Sequence, residues 1–137
     1  MKIFLDANII LDLIDRDRGN FEATKKRVQS DMLEGHELYT SCDIFTTVYY
    51  VASKKIDFEV IVLELEKIVT FIQIIPIDIT IISNALQIAR DENHKDLEDI
   101  LQYLCAKNEH CELILSNDKK FFTRDIKLEC ISERNSL

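Results

Sequence analysis

The segment KIFLDANIILDLI, residues 2–14, changes its period partway along. Lys2 to Leu5 is a short apolar run of strand length. Asp6-Ala7-Asn8 then breaks it, and Ile9, Ile10, Leu13 and Ile14 return at helical spacing. The reading is a strand, a polar turn and a helix, and the alternation continues along the chain. A helix is expected over Phe21–Leu33, ending at Gly35, whose tolerance of positive φ suits a helix C-terminus. Glu37–Thr40 reads as a second strand, Ser41 as the cap of a helix over Asp43–Lys54, and Asp57 as the cap of another through Ile68. Phe71–Ile77, apolar and β-branched, ends near the single proline and reads as a buried strand. Asp78 caps a helix over Ile79–Arg90, and Asp96 caps one whose apolar stripe is Leu97, Ile100, Leu101, Leu104 and Cys105. Glu112–Leu115 returns to strand, SNDKKFF turns into a short helix, and Ile126–Ile131 is a last strand. Strands alternating with helices imply parallel strands joined by right-handed crossovers. The fold class is α/β, a three-layer α/β/α sandwich around a mainly parallel sheet of about five strands.

A chain of 137 residues is expected to be a single domain, residues 1–137, able to bury roughly two-thirds of its unfolded surface. With 47% hydrophobic residues, 2 Gly and 1 Pro, it has no composition for flexible linkers. Asp6 and Asn8 interrupt the first apolar run before it could form a signal-peptide core, and no stretch reaches ~18 uninterrupted apolar residues. A soluble cytoplasmic protein with no membrane partner is expected. Cys42, Cys105, Cys111 and Cys130 form no CxxC pair, so reduced thiols are expected rather than a zinc or redox site. The net charge of −8 opposes a high-affinity nucleic-acid binder built on Lys and Arg. It leaves room for an enzyme whose carboxylates gather Mg²⁺ or Mn²⁺ and so invert the local charge where a phosphate sits.

Ligands of an open parallel sheet bind beyond the carboxyl ends of the strands. Asp6 directly follows the first strand, and Asp118 follows the ELIL strand after Ser116 and Asn117, so both carboxylates leave the same sheet edge. Asp99 adds a third, three residues after Asp96 and on the side of its helix away from the apolar stripe. Carboxylates brought together repel unless a hard cation lies between them, and all-oxygen ligation is what Mg²⁺ and Mn²⁺ prefer. Each residue also has a plain structural role available. Asp6, Asn8 and Asp96 suit turns and helix caps, Asp118 suits a cap, and Asp99 suits a first-turn anion facing the helix dipole.

The patterns LDANIILDL, DLEDILQYLCA and ILSNDKKFF, in that order and spacing, resemble the PIN-domain ribonucleases, especially the VapC-type toxins of toxin-antitoxin pairs. The resemblance spans nearly the whole chain. It implies hydrolysis of single-stranded or structured RNA with Mg²⁺ or Mn²⁺ held by Asp6, Asp99 and Asp118, while Asp96 matches the extra acid of a DxxD variant. Asn8 would orient the first carboxylate or touch phosphate, and Ser116 and Asn117 would shape the last loop. A small antitoxin protein and a homodimeric partner are also implied.

One position departs from the family pattern. Many members carry a Glu six residues past a Ser in the helix after the second strand, and counting from Ser41 places Thr47 there. A hydroxyl does not supply the missing charge. Asp43, one turn earlier, and Asp96 are the available replacements. Lys119 and Lys120 follow Asp118 and are placed to meet a phosphate, whereas Lys25-Lys26-Arg27 and Lys54-Lys55 read chiefly as solvated helix faces. Tyr49 and Tyr50 suit packing or base stacking. Two rival functions follow: a binding module with an incomplete acid set, favoured by Thr47, and a phosphoryl-transfer domain. Against the latter, Asp6-Ala7-Asn8 stands where a phosphatase would carry D-x-D.

Overall fold

Five strands and six helices alternate along residues 1–131, the part of the chain that the computed structural model describes. The strands β1 (Lys2–Leu5), β2 (Glu37–Ser41), β3 (Gln73–Ile75), β4 (Leu113–Leu115) and β5 (Lys127–Glu129) form one sheet in the order β3-β2-β1-β4-β5. Every neighbouring pair is parallel, so the expected mainly parallel sheet is wholly parallel. Side chains alternate across the pleat, and the sequence uses both faces. Ile3, Leu5, Leu113 and Leu115 point to one core, Phe4 and Ile114 to the other.

The helices α1 (Ala7–Ile14), α2 (Phe21–Leu33), α3 (Ile44–Ala52) and α4 (Phe58–Phe71) supply Ile9, Val28, Val48 and Ile61 to the first core. The helices α5 (Ile79–Asp91) and α6 (Leu97–Asn108) supply Ile81, Tyr103 and Ala106 to the second. The result is the expected α/β/α sandwich. Ile3, Phe4 and Leu5 are 0% exposed, and burial of such side chains stabilises by about 1.5–3 kcal/mol each, which fixes β1 as the central strand. The chain runs outward from β1 through β2 to β3, then returns to β4 on the other side of β1. This reversal opens a crevice at the carboxyl ends of β1 and β4.

Several local expectations are corrected. There is no separate turn after β1: the Ile9 N–H donates to Asp6 Oδ1 at 2.9 Å, so Asp6 is the cap and α1 starts at Ala7. Ser41 ends β2 rather than capping a helix; its hydroxyl donates to Asp43, and α3 covers only Ile44–Ala52. In FIQIIPI only Gln73–Ile75 is strand, because Ile61, Leu65 and Ile68 keep α4 seated on the core through to Phe71. SNDKKFF forms a turn, not a helix, with Lys120 N–H on Asp118 Oδ1 at 2.9 Å and Phe121 N–H on the Asp118 carbonyl at 3.0 Å. Gly35, at φ 83°, follows α2 as expected. Among the described residues no helix is long and apolar enough to cross a membrane.

Candidate active site

The crevice between β1 and β4 is a cleft of about 300 Å³ lined by Asp6, Ala7, Asn8, Thr47, Asp96, Glu98, Asp99, Gln102 and Asp118. Five of the sequence-derived site residues, Asp6, Asn8, Asp96, Asp99 and Asp118, therefore converge. Each arrives by a local device. The cap of α1 holds Asp6 at the end of β1, and Asp6 N–H donates to the Leu115 carbonyl at 3.2 Å, tying that end to β4. Ser116 is wholly buried beneath, its hydroxyl donating to Asp6 Oδ2 while accepting the Asp118 N–H at 3.1 Å. Ser116 thus couples the acids of the two strand ends without facing the cleft. Asp99 stands in the first turn of α6, where Asp96 Oδ1 accepts the Asp99 N–H at 3.0 Å.

Asn117 turns inward: its Oδ1 accepts the Ile131 N–H at 2.9 Å and its amide reaches Asp12 at 3.5 Å. Lys119 and Lys120 lie exposed just beyond Asp118. The expectation of a solvated face at Lys25-Lys26-Arg27 fails at Arg27, which is half-buried and pairs with Asp31 at 2.9 Å and Glu129 at 2.7 Å. Tyr49 and Tyr50 stand exposed on α3 rather than in the core. Burial pushes the Cys105 and Cys111 thiols up to about 12, which leaves them poor ligands for a soft metal.

Asp6 is 3% exposed. Burial pushes its carboxyl up to about 6 against the opposing hydrogen bonds from Ser116 and Ile9, and the negative charges of Asp12 and Asp118 add to the rise. Asp99 is pushed up to about 7, by burial first and then by Asp96, Asp6, Asp118 and Glu98. Among the described residues no Lys, Arg or His forms an ion pair with any acid lining this cleft. A buried carboxylate and a half-buried one, raised by neighbouring acids and without an ion-paired cation among the described residues, are a poor way to build a core and a good way to receive a cation. The donor set is all oxygen, which fits a hard divalent ion such as Mg²⁺ or Mn²⁺. Gln102 supports the fit: it is 1% exposed, lines the cleft, and leaves its buried Oε1 without a hydrogen-bond partner among the described residues.

Sequence reading overlooked Glu98 and Gln102. Their signal was an i, i+4 pair on the cleft side of α6, hidden because acids are common in any first helical turn.

A PIN-domain profile, that of the family described as "PIN domain", matches residues 3–127. The chain is 41% identical over 128 residues to Ribonuclease VapC1 of Aquifex aeolicus, an alignment covering 93% of this chain and 88% of that protein. Among solved structures, the fold is similar to that of VapC20 of Mycobacterium tuberculosis, a Sarcin-Ricin loop cleaving toxin. There the TM-score is 0.73 at 12% identity, over 87% of this chain and 92% of that one. It is also similar to a chain of VapBC2 from Rickettsia felis bound to a promoter DNA fragment, with TM-score 0.72 at 15% identity, over 95% and 98% of the two chains. Profile, relative and sheet topology agree, and the chain belongs to the PIN-domain family.

Proposed function

We propose that the protein is a Mg²⁺- or Mn²⁺-dependent endoribonuclease, the toxin of a toxin-antitoxin pair, with its site at the crevice between β1 and β4. The observation that carries the reading is that buried Asp6 and half-buried Asp99 lie among other acids, with no ion-paired cation among the described residues. Asp6, Asp99 and Asp118 are the cation ligands, and Asp96 stands beside them at the rim. A divalent ion held there supplies Lewis-acid polarisation of a phosphoryl oxygen and a more acidic water. The chain's own part is positional and protolytic. Ser116 and the Ile9 N–H fix the Asp6 carboxylate, Asn8 reaches the phosphate from the first turn of α1, and a cleft carboxylate takes the proton of the attacking water. That water's oxygen forms the new P–O bond as the bond to the 3′ oxygen breaks, and the leaving oxygen takes a proton from solvent water.

Similarity to Ribonuclease VapC1 supports RNA as the substrate. The partners of this reading are an antitoxin and a second copy of the chain. An apolar groove between α1, α2 and α4, lined by Leu13, Phe21, Val28, Met32 and Phe71, supports the first; exposed Tyr50, Phe58 and Ile79 support the second. The cytoplasm is the proposed location. Thr47 favours a second reading, a PIN fold that binds RNA without cutting it. A cleavage assay on a mixed RNA pool separates the two. Cleavage with Mn²⁺ that stops with a chelator and in Asp6→Asn and Asp99→Asn is expected; equal activity in all three proteins refutes the site, and no cleavage by any of them favours the binder.

A further inference from the structure

Thr47 occupies the position where the family pattern carries a Glu, yet its hydroxyl is not idle. Thr47 Oγ1 donates to Glu98 Oε2 at 2.8 Å, a contact that joins α3 to α6 across 51 residues of sequence. One turn further along α6, Gln102 Nε2 donates to the other carboxylate oxygen, Glu98 Oε1, at 3.1 Å. Both oxygens of Glu98 are therefore held by neutral donors, in the same cleft as Asp6, Asp99 and Asp118. The charged groups acting on it include Asp43 on the α3 side, Asp96 at the start of its own helix and neighbouring Asp99, all negative. Among the described residues no cation pairs with Glu98.

A half-buried carboxylate fixed by two neutral donors and surrounded by acids keeps only lone pairs to offer. Gln102 adds a second, independent sign of a missing ligand. After its amide has gone to Glu98, its buried Oε1 remains an acceptor without a partner among the described residues, at the cleft wall and suited to a cation or to a water around one. Thr and Glu at position 47 are also complementary choices. A Glu there would set charge against Glu98, whereas the shorter Thr leaves the space and supplies a donor to the carboxylate that comes from α6.

We propose that Glu98 is the fourth carboxylate of the cation site, delivered from α6 in place of the missing Glu of α3, and that Thr47 and Gln102 are its positioning residues. The proposal rests on the cation-dependent reading of the cleft and refines it: the fourth acid is Glu98, with Asp96 serving mainly as the cap of α6. On this arrangement Thr47 does not mark an inactive site. It belongs to a relocated acid.

The test is Mn²⁺ affinity of the purified protein, read by electron paramagnetic resonance, with RNA cleavage measured alongside. Glu98→Gln is expected to weaken Mn²⁺ binding by at least ten-fold, the lower end of what loss of even a supporting partner costs. Thr47→Val is expected to weaken it several-fold while Thr47→Ser keeps it. The double variant Thr47→Glu with Glu98→Gln returns the acid to α3 and is expected to regain most of the affinity. Wild-type affinity in Glu98→Gln, with binding lost in Asp99→Asn, overturns this proposal and leaves the cation site standing. Wild-type affinity in Asp99→Asn overturns the site itself.

Discussion

The two edges of the sheet each carry a cluster of acidic side chains, and they differ in whether the described residues supply an ion-paired cation. At the edge where β1 and β2 begin, Asp31, Glu34 and His36 bring ligand atoms within 4.8 Å of one another. Their charges and donors are already matched. Arg27 pairs with Asp31 at 2.9 Å, His36 Nε2 lies 3.1 Å from Glu34, and its Nδ1 lies 3.1 Å from the N-terminal amine. At the opposite edge, the charged groups that act on Asp6 and Asp99 among the described residues are other acids, and both carboxyls are pushed well above the usual carboxylate range. Asp31 is nearly as buried as Asp6, at 5% against 3% exposed. Burial does not distinguish a structural acid from a functional one, whereas the presence of an internal counter-charge does.

The largest expected difference is in activity. Asp6→Asn and Asp99→Asn should each reduce RNA cleavage by more than the roughly 100-fold that loss of a supporting partner costs, with little loss of fold measured by circular dichroism. At the paired edge the effect moves to stability. Arg27→Met should cost about 3 kcal/mol in urea unfolding, because it leaves the buried Asp31 without its cation, while Mn²⁺ affinity stays unchanged.

The next effect is a pH dependence at the cleft. Asp6 and Asp99 titrate higher folded than unfolded, so the metal-free folded state holds extra protons between pH about 4 and about 7. This contribution to stability should therefore fall as pH rises through that window. Mn²⁺ at a hundred-fold excess over Kd should restore about 2.7 kcal/mol at pH 7 and much less at pH 5, read as a shift in Tm. The smallest effect concerns Asp96. Its replacement by Ala removes the α6 cap and should cost about 1 kcal/mol, while Asn, which also caps, should cost little. A similar loss in both variants would show that the charge, not the cap, is what matters there.

How far these residues could be read from sequence follows from the range of the interaction that fixes each. The change of period after Leu5 and the acids that follow β1 and β4 are local features, so the sandwich, its crevice and Asp6 and Asp118 were within reach. Asp99 followed from its spacing to Asp96 and its position opposite the apolar stripe. Glu98 did not, because its role depends on a hydrogen bond to Thr47 across two helices that no spacing rule connects. The same limit explains Arg27, whose solvated appearance in sequence conceals a contact to Glu129 on the last strand. The end of α4 and the absent helix after Asp118 were decided by core burial and by a side-chain cap of a turn, both of which override local propensity.

The most direct measurement is a Mn²⁺ titration followed by electron paramagnetic resonance on the wild type, Asp99→Asn and Asp31→Asn at pH 7. Binding that is lost in Asp99→Asn and kept in Asp31→Asn is expected if the acids without an internal cation form the metal site. Binding that survives Asp99→Asn, or that disappears in Asp31→Asn, would contradict it.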